Sequence, residues 1–206
     1  TEYDSQNPSN WSALGVVQLL LNEEDDALAS ISQSIEHGSK WAGDYINRGI
    51  IYYHRHNYRS AMTDYDKAIS LAPRDPQCYY NRGVLRQELG DYNRALEDLS
   101  QAINYDPEKM EIYYQRGLVQ LQLQQWQEAL TDFQTIIQRK PYFLPAYYLA
   151  AQAQTAMGNG KEAFNLRQQA FQLEQKKDSI QSITTNMQVA EAQPQKRDRR
   201  KEFSAL

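Results

Sequence analysis

The sequence predicts an all-α solenoid of tandem helix-turn-helix units, and three observations lead there. Gly49, Gly83 and Gly117 lie 34 residues apart. Tyr45, Tyr79 and Tyr113 keep that spacing four residues before each glycine, and Ala61, Ala95 and Ala129 keep it twelve residues after. Pro73, Pro107 and Pro141 close each period, so small, bulky and helix-stopping residues recur in one frame.

Extended outward, the frame finds Trp11, Gly15 and Ala27 upstream and Tyr147, Ala151 and Ala163 downstream. An array over 1–177 follows, with units at 8–41, 42–75, 76–109, 110–143 and 144–177 and no insertion between them. Each unit reads as two helices. Asn7 before Pro8 and Asp75 before Pro76 read as N-cap and first helical residue, where a proline loses no hydrogen bond. At the fifteenth place of a unit stand Gly90, Gly158, Asn22 and His56, types that tolerate the left-handed backbone that ends a helix. Glycine at the eighth place and alanine at the twentieth let helix backbones approach, and the aromatic at the fourth fills the space beside them. The outer units depart from the pattern. Unit one lacks the closing proline, and unit five has Ala151 for glycine and Arg167 where an apolar residue belongs.

Position 7 is arginine in the three middle units (Arg48, Arg82, Arg116), and position 23 is aspartate in the same three (Asp64, Asp98, Asp132). The outer units lack both, with Leu14 and Ser30 at one end and Ala150 and Leu166 at the other. Charges that appear and vanish together predict a ladder of ion pairs, within each unit or between neighbours. The competing reading is a set of solvated charges worth about 0–1 kcal/mol each.

After residue 177, Ile180, Ile183, Met187 and Ala190 step by three and four, which predicts an amphipathic helix over 178–193 that ends before Pro194. Residues 194–206 read as a basic, flexible tail carrying the run Lys196-Arg197-Asp198-Arg199-Arg200-Lys201. A free solvated end, contact with an acidic partner surface or anionic lipid, and nucleic acid all compete for this run.

The chain has 206 residues, 41% hydrophobic and 23% charged, which is a globular composition. Its net charge of −4 argues against a nucleic-acid-binding body. No apolar run is long enough to span a bilayer. A single cysteine, Cys78, permits no internal disulfide and fits a reducing, cytoplasmic compartment. The start at Thr1 leaves open an upstream targeting or anchor segment.

This frame resembles the tetratricopeptide-repeat family, whose 34-residue unit carries an aromatic at position 4, Gly at 8, Ala at 20 and 27, and Pro at 32. The resemblance implies a right-handed superhelix with a C-terminal capping helix, and a concave groove lined by first helices that binds a partner's extended peptide or helix. Mapped onto this chain, the groove residues are Asn47, Tyr53, Tyr80, Asn81, Gln87, Tyr114, Gln115, Gln122 and Tyr148, a tyrosine and amide strip nearly free of charge. Side-chain amides can donate to and accept from a peptide backbone, and tyrosine offers a flat face with a polar tip. The lysine and arginine clamp of the chaperone-binding branch is missing, since only Asn at position 6 matches it. In unit one the groove becomes an apolar patch of Val16, Leu19 and Leu20, with Val17 and Leu21 beside it. A partner helix, a second copy, the chain's own tail and burial by the fold or by an upstream cap helix are the readings for that patch. The Tyr-x-x-Arg-Gly units also resemble photosystem-assembly members of the family, which makes an assembly factor for a multisubunit complex the alternative to a scaffold.

An enzyme is not expected, and neither a cofactor nor a metal. His54 and His56 lie two apart on a helical pattern and point to different faces. Cys78 reads as a small packed residue rather than a nucleophile. No phosphate-binding glycine loop or paired cysteine motif is present.

Overall fold

The computed structural model describes residues 6–192, with side-chain surroundings for 6–176. The basic run at 196–201, with Phe203 and Leu206, lies outside the described residues. Among the described residues there are ten helices and no strand. Unit one is α1 (Pro8–Leu20) and α2 (Glu24–Glu36), and unit two is α3 (Ala42–His54) and α4 (Tyr58–Leu71). Unit three is α5 (Pro76–Glu88) and α6 (Tyr92–Tyr105), and unit four is α7 (Met110–Gln122) and α8 (Trp126–Arg139). Unit five is α9 (Leu144–Ala156) and α10 (Gly160–Ala192).

The helix starts follow their capping residues. Asn7 accepts from Ser9 N at 2.9 Å and Asp75 from Gln77 N at 2.8 Å, each ahead of its proline. Asn57 and Asp91 cap α4 and α6 in the same way. The turn inside each unit is a two-bond left-handed cap. In unit three, Gly90 N donates to Gln87 O at 3.0 Å and Asp91 N to Arg86 O at 2.9 Å, and the other four units repeat the pair. Asn22, His56, Gly90 and Gly158 have φ of 60°, 57°, 77° and 82°, as their residue types predict. Gln124 takes the same place in unit four at 59°, which its side chain does not announce. The pairing of two helices imposes that conformation and overrides residue preference there.

Consecutive helices pack as neighbours along the whole array, and first helices of successive units also approach each other, α3 with α5 and α5 with α7. Second helices show no comparable approach, so the first helices form the inner face of the curve. Glycine at position 8 makes the closest crossing possible. A Cβ at Gly49 would sit 2.5 Å from Tyr65, and one at Gly117 would sit 2.7 Å from Phe133. The residue at position 24 lies on that glycine and is buried in units one to four: Ile31, Tyr65, Leu99 and Phe133. In unit five Ala151 closes this space, and Arg167 turns outward to donate to Thr155 Oγ1 at 3.1 Å.

The arginine–aspartate ladder runs within units. Arg48 donates from Nε and Nη2 to Asp64 at 2.8 Å each, Arg82 to Asp98 at 2.9 and 2.7 Å, and Arg116 to Asp132 at 2.8 and 2.7 Å. All three aspartates are buried. Each arginine also lies over the position-4 tyrosine of its own unit, 5.7–5.9 Å from the ring centre. Two arginines reach back across the joint: Arg82 to Asp66 at 2.7 Å and Arg116 to Ser100 Oγ at 3.3 Å. Tyrosine hydroxyls do the same, Tyr79 donating to Pro73 O at 3.1 Å and Tyr147 to Pro141 O at 2.9 Å. The hydrogen bonds to Asp64 and Asp132 hold Arg48 and Arg116 above the ordinary guanidinium range, whereas burial pushes the Asp132 carboxyl up against the pull of Arg116.

Between units one and two the joint is built differently. Asp44 is fully buried, and the hydroxyls of Ser12 and Ser34 donate to its two carboxylate oxygens at 2.7 Å each. At the other end, residues 178–192 do not form a separate helix. They prolong α10 without a break, because no glycine or proline lies between Gly160 and Pro194 to turn the chain. Their side chains lie outside the described residues.

Candidate partner-binding groove

The inner face is occupied along its length by side chains from the first helices. Tyr80 on α5 and Tyr114 on α7 stand one unit apart, both half-buried. Between them and the end of α8 lies a cavity of about 310 Å³, lined by Tyr80, Met110, Glu111, Tyr114, Gln115, Ile136, Lys140 and Phe143. Three local features build it. The first turn of α7 supplies Met110 and Glu111, the last turn of α8 supplies Ile136 and leads to Lys140, and Phe143 caps the entry to α9. Tyr114 is held edge-on by Phe143 at 5.6 Å and by Phe133 at 6.4 Å, so one aromatic wall is fixed by the core.

The polar groups around this cavity are organised in pairs. Lys140 Nζ donates to Glu111 Oε1 at 2.7 Å, which holds the Glu111 carboxyl below its ordinary range. Gln115 Nε2 donates to Gln87 Oε1 at 2.8 Å. Lys109 Nζ donates to Gln77 Oε1 at 2.6 Å and lies 6.0 Å from the Tyr80 ring centre. Gln77 Nε2 donates in turn to Asn81 Oδ1 at 3.2 Å. Burial pushes the Tyr80 and Tyr53 hydroxyls up. The expectation of a strip nearly free of charge is therefore corrected: Lys109, Glu111 and Lys140 stand among the tyrosines. Lys109 and Lys140 fall in the links between units, outside the helix positions assigned to the groove, whereas Glu111 stands in the first turn of α7.

The other sequence-derived residues spread along the face. Asn47 and Tyr53 are half-buried, Tyr53 packing against Tyr58 at 5.9 Å. Asn81 is buried, with Oδ1 taken by Gln77 and its amide nitrogen shut away without a partner. Gln122 and Tyr148 are exposed. In unit one the patch divides. Val16 lines a second cavity of about 470 Å³ with Ser9, Ser12, Ala13, Ser39 and Trp41. Leu19 packs against the core of Ala27, Ile31 and Ile51, and Leu20 is exposed. Among the described residues no group of three or more histidines, cysteines or carboxylates is placed to hold a metal ion. No helix among them is long and apolar enough to cross a membrane.

The array of paired helices, their period and their shared turns define a tetratricopeptide-repeat protein with tandem repeats. A family profile described as "TPR repeat" matches residues 49–90 and 85–124, and one described as "Tetratricopeptide repeat" matches residues 111–141. No curated protein matches the chain by sequence. Among solved structures, that of MamA protein matches with a TM-score of 0.76 at 20% identity, over 84% of this chain and 94% of that one. MamA 41-end from Desulfovibrio magneticus RS-1 matches with 0.77 at 18% identity, over 86% and 99%. YrrB, described as a TPR protein with an unusual peptide-binding site, matches with 0.73 at 21% identity, over 82% and 88%. At these identities the likeness shows the fold.

Proposed function

We propose that this chain is a non-catalytic scaffold that holds an extended segment or a helix of a partner protein along its inner face. The cavity between Tyr80 and Phe143 carries this reading. It has apolar walls, a volume that accepts one large side chain, and at its edge an amide and an ion pair that can re-pair with a peptide backbone. The peptide-binding description of YrrB supports the choice of a peptide as ligand. An assembly factor would use the same face and differ in how long the complex lasts.

Peptides selected from a random library against the wild-type chain, then measured by calorimetry, test the reading. Tyr80→Ala and Gln115→Ala are expected to weaken the selected peptides by about tenfold or more each, which is ~1.4 kcal/mol. Unchanged affinities in both variants, with helicity intact, would refute the inner-face site.

A further inference from the structure

We propose that copies of this chain associate head to tail, α1 of one copy stacking on α10 of the next in the place a further unit would take. The register of the joints carries this. The tenth residue of every unit after the first is buried in a core formed with the second helix of the preceding unit. Ile51 packs with Ala27 and Ile31, and Val119 packs with Ala95 and Leu99. Val17 holds the tenth place in unit one and is 51% exposed, with Leu14 and Leu21, three residues before and four after it, also exposed.

The opposite end shows the other half of the joint. In unit four, Leu130 and Ile137, at places 21 and 28, pack into the core shared with α9. Phe164 and Phe171 hold those places in unit five and are 58% and 51% exposed. Among the described residues, apolar side chains at the places that form the internal joint are thus exposed on both α1 and α10.

The polar contacts agree. Inside the array the arginine at position 7 reaches back to position 25 of the unit before, as Arg82 does to Asp66. At the bare faces these places hold Leu14 and Gln168, so the arginine and its charged acceptor are absent together, and Arg167, which stands at place 24 of the α10 half, is bonded aside to Thr155. The sequence of α1 contains no charged residue at all, so the face that Val17 shares with Leu14 and Leu21 carries no charge to oppose an apolar contact. Such a contact uses different patches on the two partners, so it adds copies end on end unless a ring closes.

Sedimentation velocity over about 1–200 µM tests the proposal, since micromolar contacts report in that range. The average mass of the wild-type chain is expected to rise with concentration. Val17→Lys and Phe171→Lys should each weaken association at least about tenfold while keeping helicity, because each puts an unpaired charge into an apolar joint. Mixed one to one, the two variants should give a species of two copies and nothing longer, since each supplies one intact face. Leu21→Glu and Phe164→Glu replace them if either lysine variant fails to fold. A wild-type chain that stays monomeric throughout overturns the proposal. So do single variants that associate like wild type, or a mixture that forms no pair. A monomer that begins to pair only when residues 193–206 are removed assigns the α10 face to the chain's own end, which also overturns it.

Discussion

Removing either side of the Arg116–Asp132 pair should cost far more than a surface ion pair. Asp132 is 2% exposed, and Arg116 grips it with two parallel bonds of 2.7 and 2.8 Å. A hydrogen bond to a charged group contributes about 1.5–3 kcal/mol, and breaking a buried pair costs about 3–5 kcal/mol. The two halves are not equivalent. The Arg116 side chain keeps 21% of its surface in water, so in Asp132→Ala the guanidinium can swing outward and the loss falls near the lower end, ~3 kcal/mol. In Arg116→Ala the carboxylate has no exit and the loss falls near the upper end, ~5 kcal/mol. The double variant should fall short of the sum by about 2 kcal/mol, the coupling of residues in direct contact. Urea unfolding followed by circular dichroism measures all four corners, provided the denaturant slope is unchanged, because repeat arrays can lose two-state behaviour. A coupling below about 0.5 kcal/mol would refute the argument and return the ladder to the class of solvated charges.

Five further outcomes follow from the geometry. Asp132 already sits above the ordinary carboxylate range through burial, and losing Arg116 removes the group that lowers it. A raised folded value gives stability that is full below the unfolded value and lost as pH rises, so Arg116→Ala should lag wild type less at about pH 4 than at about pH 7, and equal gaps would contradict this. Gly117→Ala pushes a Cβ to 2.7 Å from the buried Phe133 ring and should destabilise by about 1–2 kcal/mol, strain outweighing helix propensity. Gly83→Ala, with its nearest atom at 3.0 Å on a leucine, should cost less in the same urea measurement. Gln124→Gly relieves a left-handed backbone at φ 59° and should stabilise by roughly 0.5–1 kcal/mol, visible as a higher urea midpoint. Burial pushes the Cys78 thiol up to about 11, which leaves about a hundredfold less thiolate near neutral pH. Labelling by an aromatic disulfide should therefore be at least that much slower in the native chain than in urea, and equal rates would place Cys78 at the surface.

Much of this architecture is written in residues whose size or backbone freedom admits few environments. Gly49 and Tyr65 specify each other because only a hydrogen leaves room for the ring. Arg48 and Asp64 announce their pairing by disappearing together in the end units. Asp75-Pro76 marks a helix start because the proline has no N–H to satisfy. Other features have no such signature. Gln124 adopts its turn under the force of the two helices around it. Asp44 with Ser12 and Ser34 replaces an apolar joint only once, so no repetition advertises it. Lys109 and Lys140 reach the groove from the links between units, and their long side chains make sequence position a poor guide to where the charge ends up. The closing of Asn81 follows from its neighbour Gln77, a contact made by geometry rather than by residue type.

The ladder stops one unit short of either end, since Leu14, Ser30, Ala150 and Leu166 stand where its rungs would be. Units that interact only with neighbours open from wherever the bonds between them are weakest. The chain is accordingly a beam with a stiff middle and compliant tips. Amide protons of α3 to α8 should exchange last, and the tips can flex to meet a load without disturbing the span between Tyr80 and Tyr114.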